Sequence, residues 1–293
     1  MKGPNEKYSP EDDDLYILGG ESDYNKRIPW WGWMLVGIAA VAVAVTVYVV
    51  VKNTIQPDKV QVTPSRPVVD GQTTADDDNW LNNVDAKRPS TIVVADTVVG
   101  DLPLKILTPY NVTPELHLGQ IDTTDSDILF AARAADLGSG KGLIIGAFVH
   151  EGTPLSWGLS KSGYCAIIDG RITVGVAENS PFFEQATEQG GSFFRQYAAV
   201  ADGSVVTNNP KNASYRRALC ALDGKACVVV SARRVLMDDF ATALASLGVR
   251  DAVFLVGGAH DGWYRNSTGA IVRLGDPYNK NNPNVNFLVF RAQ

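Results

Sequence analysis

The sequence contains few of the residues that most often build metal sites and nucleic-acid surfaces. It has three histidines and three cysteines, and no two cysteines have the close spacing of a structural zinc site. Aspartate and glutamate outnumber lysine and arginine by 32 to 26, and no basic stripe typical of nucleic-acid binding is present. The composition therefore argues against a structural zinc module and against nucleic acid as a partner.

Several catalytic fingerprints are also missing. The chain has no G-x-S-x-G nucleophile elbow, no Walker A loop and no G-x-G-x-x-G dinucleotide fingerprint. These absences exclude the activities that depend on those motifs. No internal repeat indicates a solenoid, and a hydrophobic content of 45% is sufficient for a globular core.

The first 89 residues divide into three segments of different polarity. Residues 1–28 are acidic and predict a disordered tail, and residues 52–89 are rich in proline, threonine and aspartate and predict an extended linker. Residues 29–51 are uncharged, begin with three tryptophans and predict one transmembrane helix. Because lysine and arginine are more numerous before this helix than after it, the sequence predicts a single-pass membrane protein with a cytoplasmic N-terminus and an exported C-terminal domain.

Residues 90–293 form the predicted globular domain. Apolar runs, several joined by Asp-Gly turns, predict a mostly antiparallel sheet. Helical periodicity predicts helices over residues 125–137 and 238–247. The expected fold class is therefore α+β, with a few helices beside the sheet. The clearest predicted strands cover residues 91–95, 104–107, 143–149, 163–168, 172–174, 196–200 and 252–256.

An Asp223-Gly224 pair between two apolar runs predicts a two-residue hairpin turn. In that register Cys220 lies directly opposite Cys227, within reach of a disulfide. An oxidising compartment would favour the disulfide, and the alternative is that both are small buried hydrophobic side chains. The sequence leaves both alternatives open.

Two histidine-acid pairs follow predicted buried strands. His150 and Glu151 follow strand 143–149, and His260 and Asp261 follow strand 252–256 within a segment rich in glycine. If the two strands are neighbours, the pairs converge and supply two imidazoles and two carboxylates for a divalent metal ion or for acid/base catalysis. The alternative is that both pairs are solvated loop residues.

The portion from Gly142 to Tyr264, about 120 residues, resembles the phosphodiester glycosidase family. That family includes the lysosomal enzyme that removes N-acetylglucosamine from a phosphodiester. Residues 236–258, LMDDFATALASLGVRDAVFLVGG, are similar to the family's helix, Leu-Gly turn and strand that ends in Leu-Asp-Gly-Gly. Arg216 and Ala218 stand where the family has an Arg-Thr-Ala strand. The other matched positions are Gly146, Phe148, Pro154, Gly158, Gly163, Tyr197, Asp202 and Gly203.

The resemblance implies a phosphodiester-glycosidase-like fold and a carbohydrate or sugar-phosphodiester ligand. It implies four substrate-binding residues, namely Arg216, Gly146, Gly257 and Gly258. Two of the family's polar residues are replaced, because its asparagine falls on Ile144 and its aspartate on Val256. An aliphatic side chain cannot transfer a proton.

Three functional hypotheses follow. The first is a membrane-anchored hydrolase that acts on a glycosyl phosphodiester or envelope polysaccharide, with His260, Asp261, His150 and Glu151 as its catalytic residues. The second is a catalytically degenerate module that binds carbohydrate or an anion during envelope assembly and keeps its arginine but no carboxylate in the cleft. The third is a scaffold without a cleft.

Overall fold

The computed structural model describes residues 80–139, 142–158, 160–258, 260–275 and 282–293. The predicted acidic tail, the helix over residues 29–51 and most of the predicted linker lie outside these residues. No helix in the described part of the chain is long and apolar enough to cross a membrane. The predicted segment boundaries and the export of the C-terminal domain stay predictions.

The described chain folds into three antiparallel sheets. The first sheet has the strand order β1-β2-β13-β12-β14-β10-β11. Its strands are β1 (Thr91–Val99), β2 (Leu102–Tyr110), β10 (Ala198–Ala201), β11 (Ser204–Val205), β12 (Arg217–Leu222), β13 (Lys225–Ser231) and β14 (Asp251–Leu255).

The second sheet has the order β16-β15-β4-β17-β3 and the third the order β6-β5-β9-β7-β8. The second consists of β3 (Val112–Leu118), β4 (Ile128–Arg133), β15 (Gly262–Arg265), β16 (Ile271–Arg273) and β17 (Asn286–Ala292). The third consists of β5 (Phe148–His150), β6 (Thr153–Ser156), β7 (Gly163–Ile168), β8 (Arg171–Val176) and β9 (Ser192–Gln196).

Two short helices complete the described elements, α1 (Phe182–Glu188) and α2 (Met237–Ser246). The predicted α+β class is wrong, because strands make up 48% of the structure and helices only 8%. The domain is instead built mostly of antiparallel β-sheet, and each helix covers one outer face of a sheet.

Helix α2 agrees with the helix predicted over residues 238–247. It buries Phe240 and Leu244 on one face, and Asp238 and Asp239 in its first turn lie at the positive end of the helix dipole. Buried residues of the first sheet form one hydrophobic cluster with this face.

The helix predicted over residues 125–137 is wrong, because this segment contains strand β4. The strand lies between β15 and β17, and its residues from Phe130 to Arg133 are all buried. A strand that is buried on both faces loses the polar alternation that distinguishes it from a helix. The alanines at residues 131 and 132 strengthened the helical pattern.

The strand predicted over residues 143–149 is also shorter than expected. Strand β5 covers only Phe148–His150, and Ile144 forms an isolated bridge with Leu137. Leu143 and Ile145 are exposed. The bend lies at Gly146, whose φ of 91° favours glycine.

The three sheets share one core. Its largest cluster draws on all of them, with Leu219 and Val228 from the first sheet, Phe130 from the second, and Phe148 and Phe194 from the third. This shared core holds the ends of β4, β9 and β14 close together, and the loops beyond those ends form the candidate site.

Candidate functional site

The glycine-rich segment after β14 packs directly against the chain that precedes β12. A side chain at Gly257 would overlap the carbonyl oxygen of Tyr215, so only glycine fits there. The amide of Gly258 donates to that carbonyl at 2.8 Å, and its φ is 70°. Two of the glycines that we expected to bind substrate therefore position the backbone.

The side chain of Arg217 also binds the glycine-rich segment after β14. Its guanidinium is fully buried and donates to four carbonyl oxygens, those of Val256, His260, Asp261 and Leu274, at 2.7–3.2 Å. Burial lowers the pKa of Arg217 to about 10, and the nearby Asp261 carboxylate opposes this shift. The buried cation thus fixes the loop through backbone contacts.

Arg216 lies beside it with a different role. Because it is the neighbour of Arg217 at the start of a strand, it faces the other side of the sheet. Its Nε donates to the carbonyl of Val235 at 3.2 Å, and Nη2 donates to the carbonyl of Asn212. Burial lowers the pKa of Arg216. These two contacts hold the guanidinium at the wall of a pocket.

This pocket, which we call the strand-end pocket, has a volume of about 120 Å³. It lies at the ends of β9 and β14. The side chains that matter for its chemistry are Asp136, Gln196, Tyr197 and Arg216, and Val256 and Gly257 form the wall beneath them.

A charged network lies at the far wall. The ammonium group of Lys161, only 4% exposed, donates to Asp136 Oδ2 at 2.5 Å and to Gln196 Oε1 at 2.6 Å. The Lys161 Nζ atom also lies 4.9 Å from the centre of the Tyr197 ring. Burial lowers the pKa of Lys161, and the Asp136 carboxylate opposes this effect by stabilising the charged form.

Sequence reasoning missed Asp136 and Lys161. Asp136 stands three residues after β4, and Lys161 stands two residues before β7, so the fold brings together residues that are 25 positions apart. The one sequence signal for Asp136 is that a carboxylate follows a buried strand. The prediction of a helix over residues 125–137 hid this signal, because the strand was not recognised.

The two histidine-acid pairs do not converge. His150 Nε2 lies 3.1 Å from the carbonyl oxygen of Leu116 in the edge strand β3. Leu116 is in register with Gly262 across β17 and β4, and three strand spacings amount to roughly 14 Å. No group of three or more histidines, cysteines or acids in the described residues is arranged to hold a metal ion.

The remaining predicted side chains also lie away from the strand-end pocket. Glu151 is exposed in a turn with φ of 47°, and His260 is exposed with Nδ1 2.6 Å from the carbonyl of Gly257. The Asp261 side chain, 13% exposed, faces Arg273 at 3.7 Å and interacts with Arg217. Gly146 lies against Arg195.

The hairpin register is confirmed, since Cys220 pairs with Cys227 across β12 and β13. Both cysteines are free and fully buried. Burial, followed by the neighbouring Cys227 thiol, raises the pKa of Cys220 well above its ordinary value. In the structure the two thiols are part of the cluster beneath α2.

No family model matches the chain, and no curated protein matches it in sequence. Among solved structures, one similar to it is the zebrafish N-acetylglucosamine-1-phosphodiester alpha-N-acetylglucosaminidase catalytic domain, auto-inhibited by its pro-peptide. The identity is 12%, the TM-score is 0.49, and the match covers 73% of this chain and 86% of that one. A hypothetical protein from Synechocystis matches with 12% identity and a TM-score of 0.47 over 70% of this chain and 62% of that one. At this similarity neither structure transfers a residue or an activity to this chain.

Proposed function

We propose that the domain binds a glycosyl phosphodiester in the strand-end pocket and hydrolyses it. The observation that carries the proposal is that one carboxylate, Asp136, and one arginine, Arg216, line the same small pocket. The hypothesis of a degenerate binding module predicts a cleft with an arginine and no carboxylate. The presence of Asp136 therefore favours the hydrolase.

Asp136 is suited to act as a general base. Lys161 holds its Oδ2 atom, which fixes the carboxylate and leaves Oδ1 to accept a proton from water. The water oxygen would form a bond to the anomeric carbon as the bond from that carbon to the phosphate oxygen breaks. The bonding electron pair leaves with the phosphate.

A single carboxylate is sufficient for this reaction. Ordinary glycosidases need a second carboxylic acid to protonate an alkoxide leaving group. A phosphate oxygen leaves as a stable anion and needs no such proton. Asp136 is the one carboxylate among the described residues of the strand-end pocket. A reaction that needs only a general base requires no second carboxylic acid.

Arg216 is suited to bind the phosphate. A guanidinium group offers several donors in one plane and matches the oxygens of a phosphate. The carbonyls of Val235 and Asn212 accept from Nε and Nη2 and hold the group in place. Its charge would stabilise the anion that leaves.

A binding module without turnover is the second candidate. The observation in its favour is Val256, which lines the pocket at the position where the resembled family has an aspartate. Both candidates predict the same ligand, so turnover distinguishes them.

The test measures sugar release from an N-acetylglucosamine 1-phosphodiester by the full chain, with and without a divalent cation, beside calorimetric binding of the same compound. We expect turnover by the wild type, a loss of about 100-fold or more in kcat for Asp136→Asn, and a rise in KM of about tenfold for Arg216→Ala. Arg233→Ala is the matched control, since Arg233 pairs with Asp101 on the surface. It should change neither value by more than about twofold.

Binding without sugar release by the wild type would replace the hydrolase with the binding module. If the wild type neither binds the compound nor releases sugar from it, both candidates are wrong.

A further inference from the structure

A second pocket lies on the outer side of the third sheet, beside α1. Its volume is about 210 Å³. The side chains that define it are Trp157, Asn179, Phe183, Glu184 and Arg195, and we call it the indole pocket. Arg195 and Gln196 are consecutive in β9 and so point to opposite faces of the sheet. The indole pocket is therefore separate from the strand-end pocket.

The exposed indole is the first observation that points to a ligand. Trp157 is 70% exposed, compared with 43% for Tyr215. A ligand that covers this apolar surface would therefore gain binding free energy. Phe183 is half-buried in the same pocket and packs edge-on against Phe193 at 5.7 Å. The pocket thus offers two aromatic surfaces.

Polar groups at the rim are the second observation. Asn179 and Glu184 are exposed. Among the described residues the Asn179 side chain forms no hydrogen bond, and Glu184 has an electrostatic interaction with Arg195. An amide supplies both donors and acceptors, and a carboxylate supplies acceptors. Exposed polar groups of this kind around an aromatic surface are typical of a site for a ligand with one apolar face and many hydroxyls.

Arg195 makes the pocket rigid. It is 2% exposed and donates to the carbonyls of Lys161 and Ala177 at 2.8 Å and to that of Glu178 at 3.0 Å. These contacts fix the segment that leads to Asn179. Burial lowers the pKa of Arg195, while Tyr164 and Glu184 oppose the shift. A preformed pocket loses less conformational entropy on binding.

The wall that carries Trp157 is held in a similar way. The amide of Ala147 donates to the carbonyl of Gly158 at 3.1 Å, which joins the segment after β6 to the segment before β5. The indole therefore stands on backbone that is attached to the sheet.

We propose that the indole pocket binds a neutral saccharide, with one pyranose ring stacked on Trp157 and its hydroxyls bonded to Asn179 and Glu184. A pyranose has an apolar C–H face that matches an aromatic ring, and a polar edge that matches the rim. An anionic ligand is disfavoured, because the Glu184 carboxylate stands at the rim and the donors of Arg195 are directed to backbone carbonyls. The proposal does not depend on catalysis in the strand-end pocket.

Isothermal calorimetry on the full chain tests this proposal, with neutral trisaccharides of N-acetylglucosamine, glucose and mannose as probes. We expect saturable binding of at least one trisaccharide. Trp157→Ala should weaken that binding by about tenfold or more, and Trp157→Phe by less. Leu155→Ala is the matched control, because Leu155 is 42% exposed two residues earlier and does not line the pocket. It should leave affinity unchanged.

Asn179→Ala and Glu184→Gln should each weaken binding several-fold without change in the unfolding midpoint. Asp136→Asn should leave saccharide binding intact, so failure of hydrolysis and failure of this proposal are distinguishable. No saturable binding of any of the three trisaccharides would overturn the proposal. Equal binding by Trp157→Ala would overturn it as well. Self-association that Trp157→Ala abolishes, without saccharide binding, would identify the indole as a contact between copies of the chain.

Discussion

The two walls of the strand-end pocket are built in opposite ways. The glycine wall, formed by Val256 and Gly257, belongs to a segment that was conspicuous in the sequence, yet it contributes no charged or polar side chain. The charged wall, formed by Asp136, Lys161 and Gln196, had no motif, yet it presents a network of side chains. A glycine-rich motif thus locates this site because glycine allows close packing, and the chemistry has to be sought on the strands that face it.

The largest effect is expected when Arg217, the cation that supports the glycine wall, is removed. Arg217→Met leaves four carbonyl oxygens without their donor, and we expect the free energy of unfolding to fall by about 3 kcal/mol or more. Arg216→Met is the control, because the Arg216 guanidinium donates to two carbonyl oxygens, and its loss should cost about 1 kcal/mol. Urea unfolding measures both. Equal losses would contradict the division of roles between the two arginines.

A methyl group at the glycine wall should have the next largest effect. Gly257→Ala would place Cβ against the Tyr215 carbonyl, and overpacking of this kind costs about 1–3 kcal/mol. The control is Gly138→Ala, where the added Cβ lies 3.6 Å from Leu143 O, an ordinary contact. Thermal unfolding of the two variants gives the comparison. A Gly257→Ala protein as stable as Gly138→Ala would show that the wall tolerates movement.

The charged wall should respond to alkaline pH through Lys161. Burial lowers the pKa of Lys161 from its ordinary 10.5. Between the lowered value and 10.5, the unfolded chain holds more protons than the folded chain, so this group makes stability rise with pH. The Lys161→Met variant lacks that contribution. We therefore expect wild type to gain stability relative to the variant as pH rises toward 10.5.

Urea unfolding of both proteins at a series of alkaline pH values measures this difference. Comparison of the two proteins cancels the titration of the buried cysteines, whose raised pKa values act in the opposite direction. A constant difference across the series would mean that Lys161 titrates as it does in the unfolded chain.

The smallest effect is expected for His260, the most conspicuous side chain of the glycine-rich segment that follows this wall. His260 is exposed, and its ring Nδ1 lies 2.6 Å from the carbonyl oxygen of Gly257. His260→Ala should change stability by less than about 0.5 kcal/mol and sugar release by less than about twofold. A large loss of turnover, measured beside Asp136→Asn, would assign a catalytic role to His260.

Local sequence signals predicted the elements whose contacts are local. The Asp223-Gly224 turn set the register of β12 and β13 and placed Cys220 opposite Cys227. The acidic first turn and apolar face of α2 were visible in the same way. In these cases the information lies within a few residues, because turn geometry and helical periodicity are short-range properties.

Elements that depend on long-range burial were mistaken or missed. The segment of strand β4 was predicted as a helix. Its residues are buried between neighbouring strands, so they lack the alternation of polar and apolar residues that indicates a strand. Helix α1 was missed, although Ser180-Pro181 followed by Glu184 is a start signal for a helix. At seven residues α1 is too short to show periodicity, and it is stabilised by burial of Phe182 and Ala186 on the third sheet.

Short-range sequence patterns were enough to predict the β12–β13 hairpin, helix α2 and the glycine-rich end of β14. Each of these follows from steric and hydrogen-bonding preferences of adjacent residues. Only the tertiary structure decided which side chains meet there. It separated His150 from His260 and paired Lys161 with Asp136, because the packing of three sheets around one core sets the distances between residues far apart in the chain.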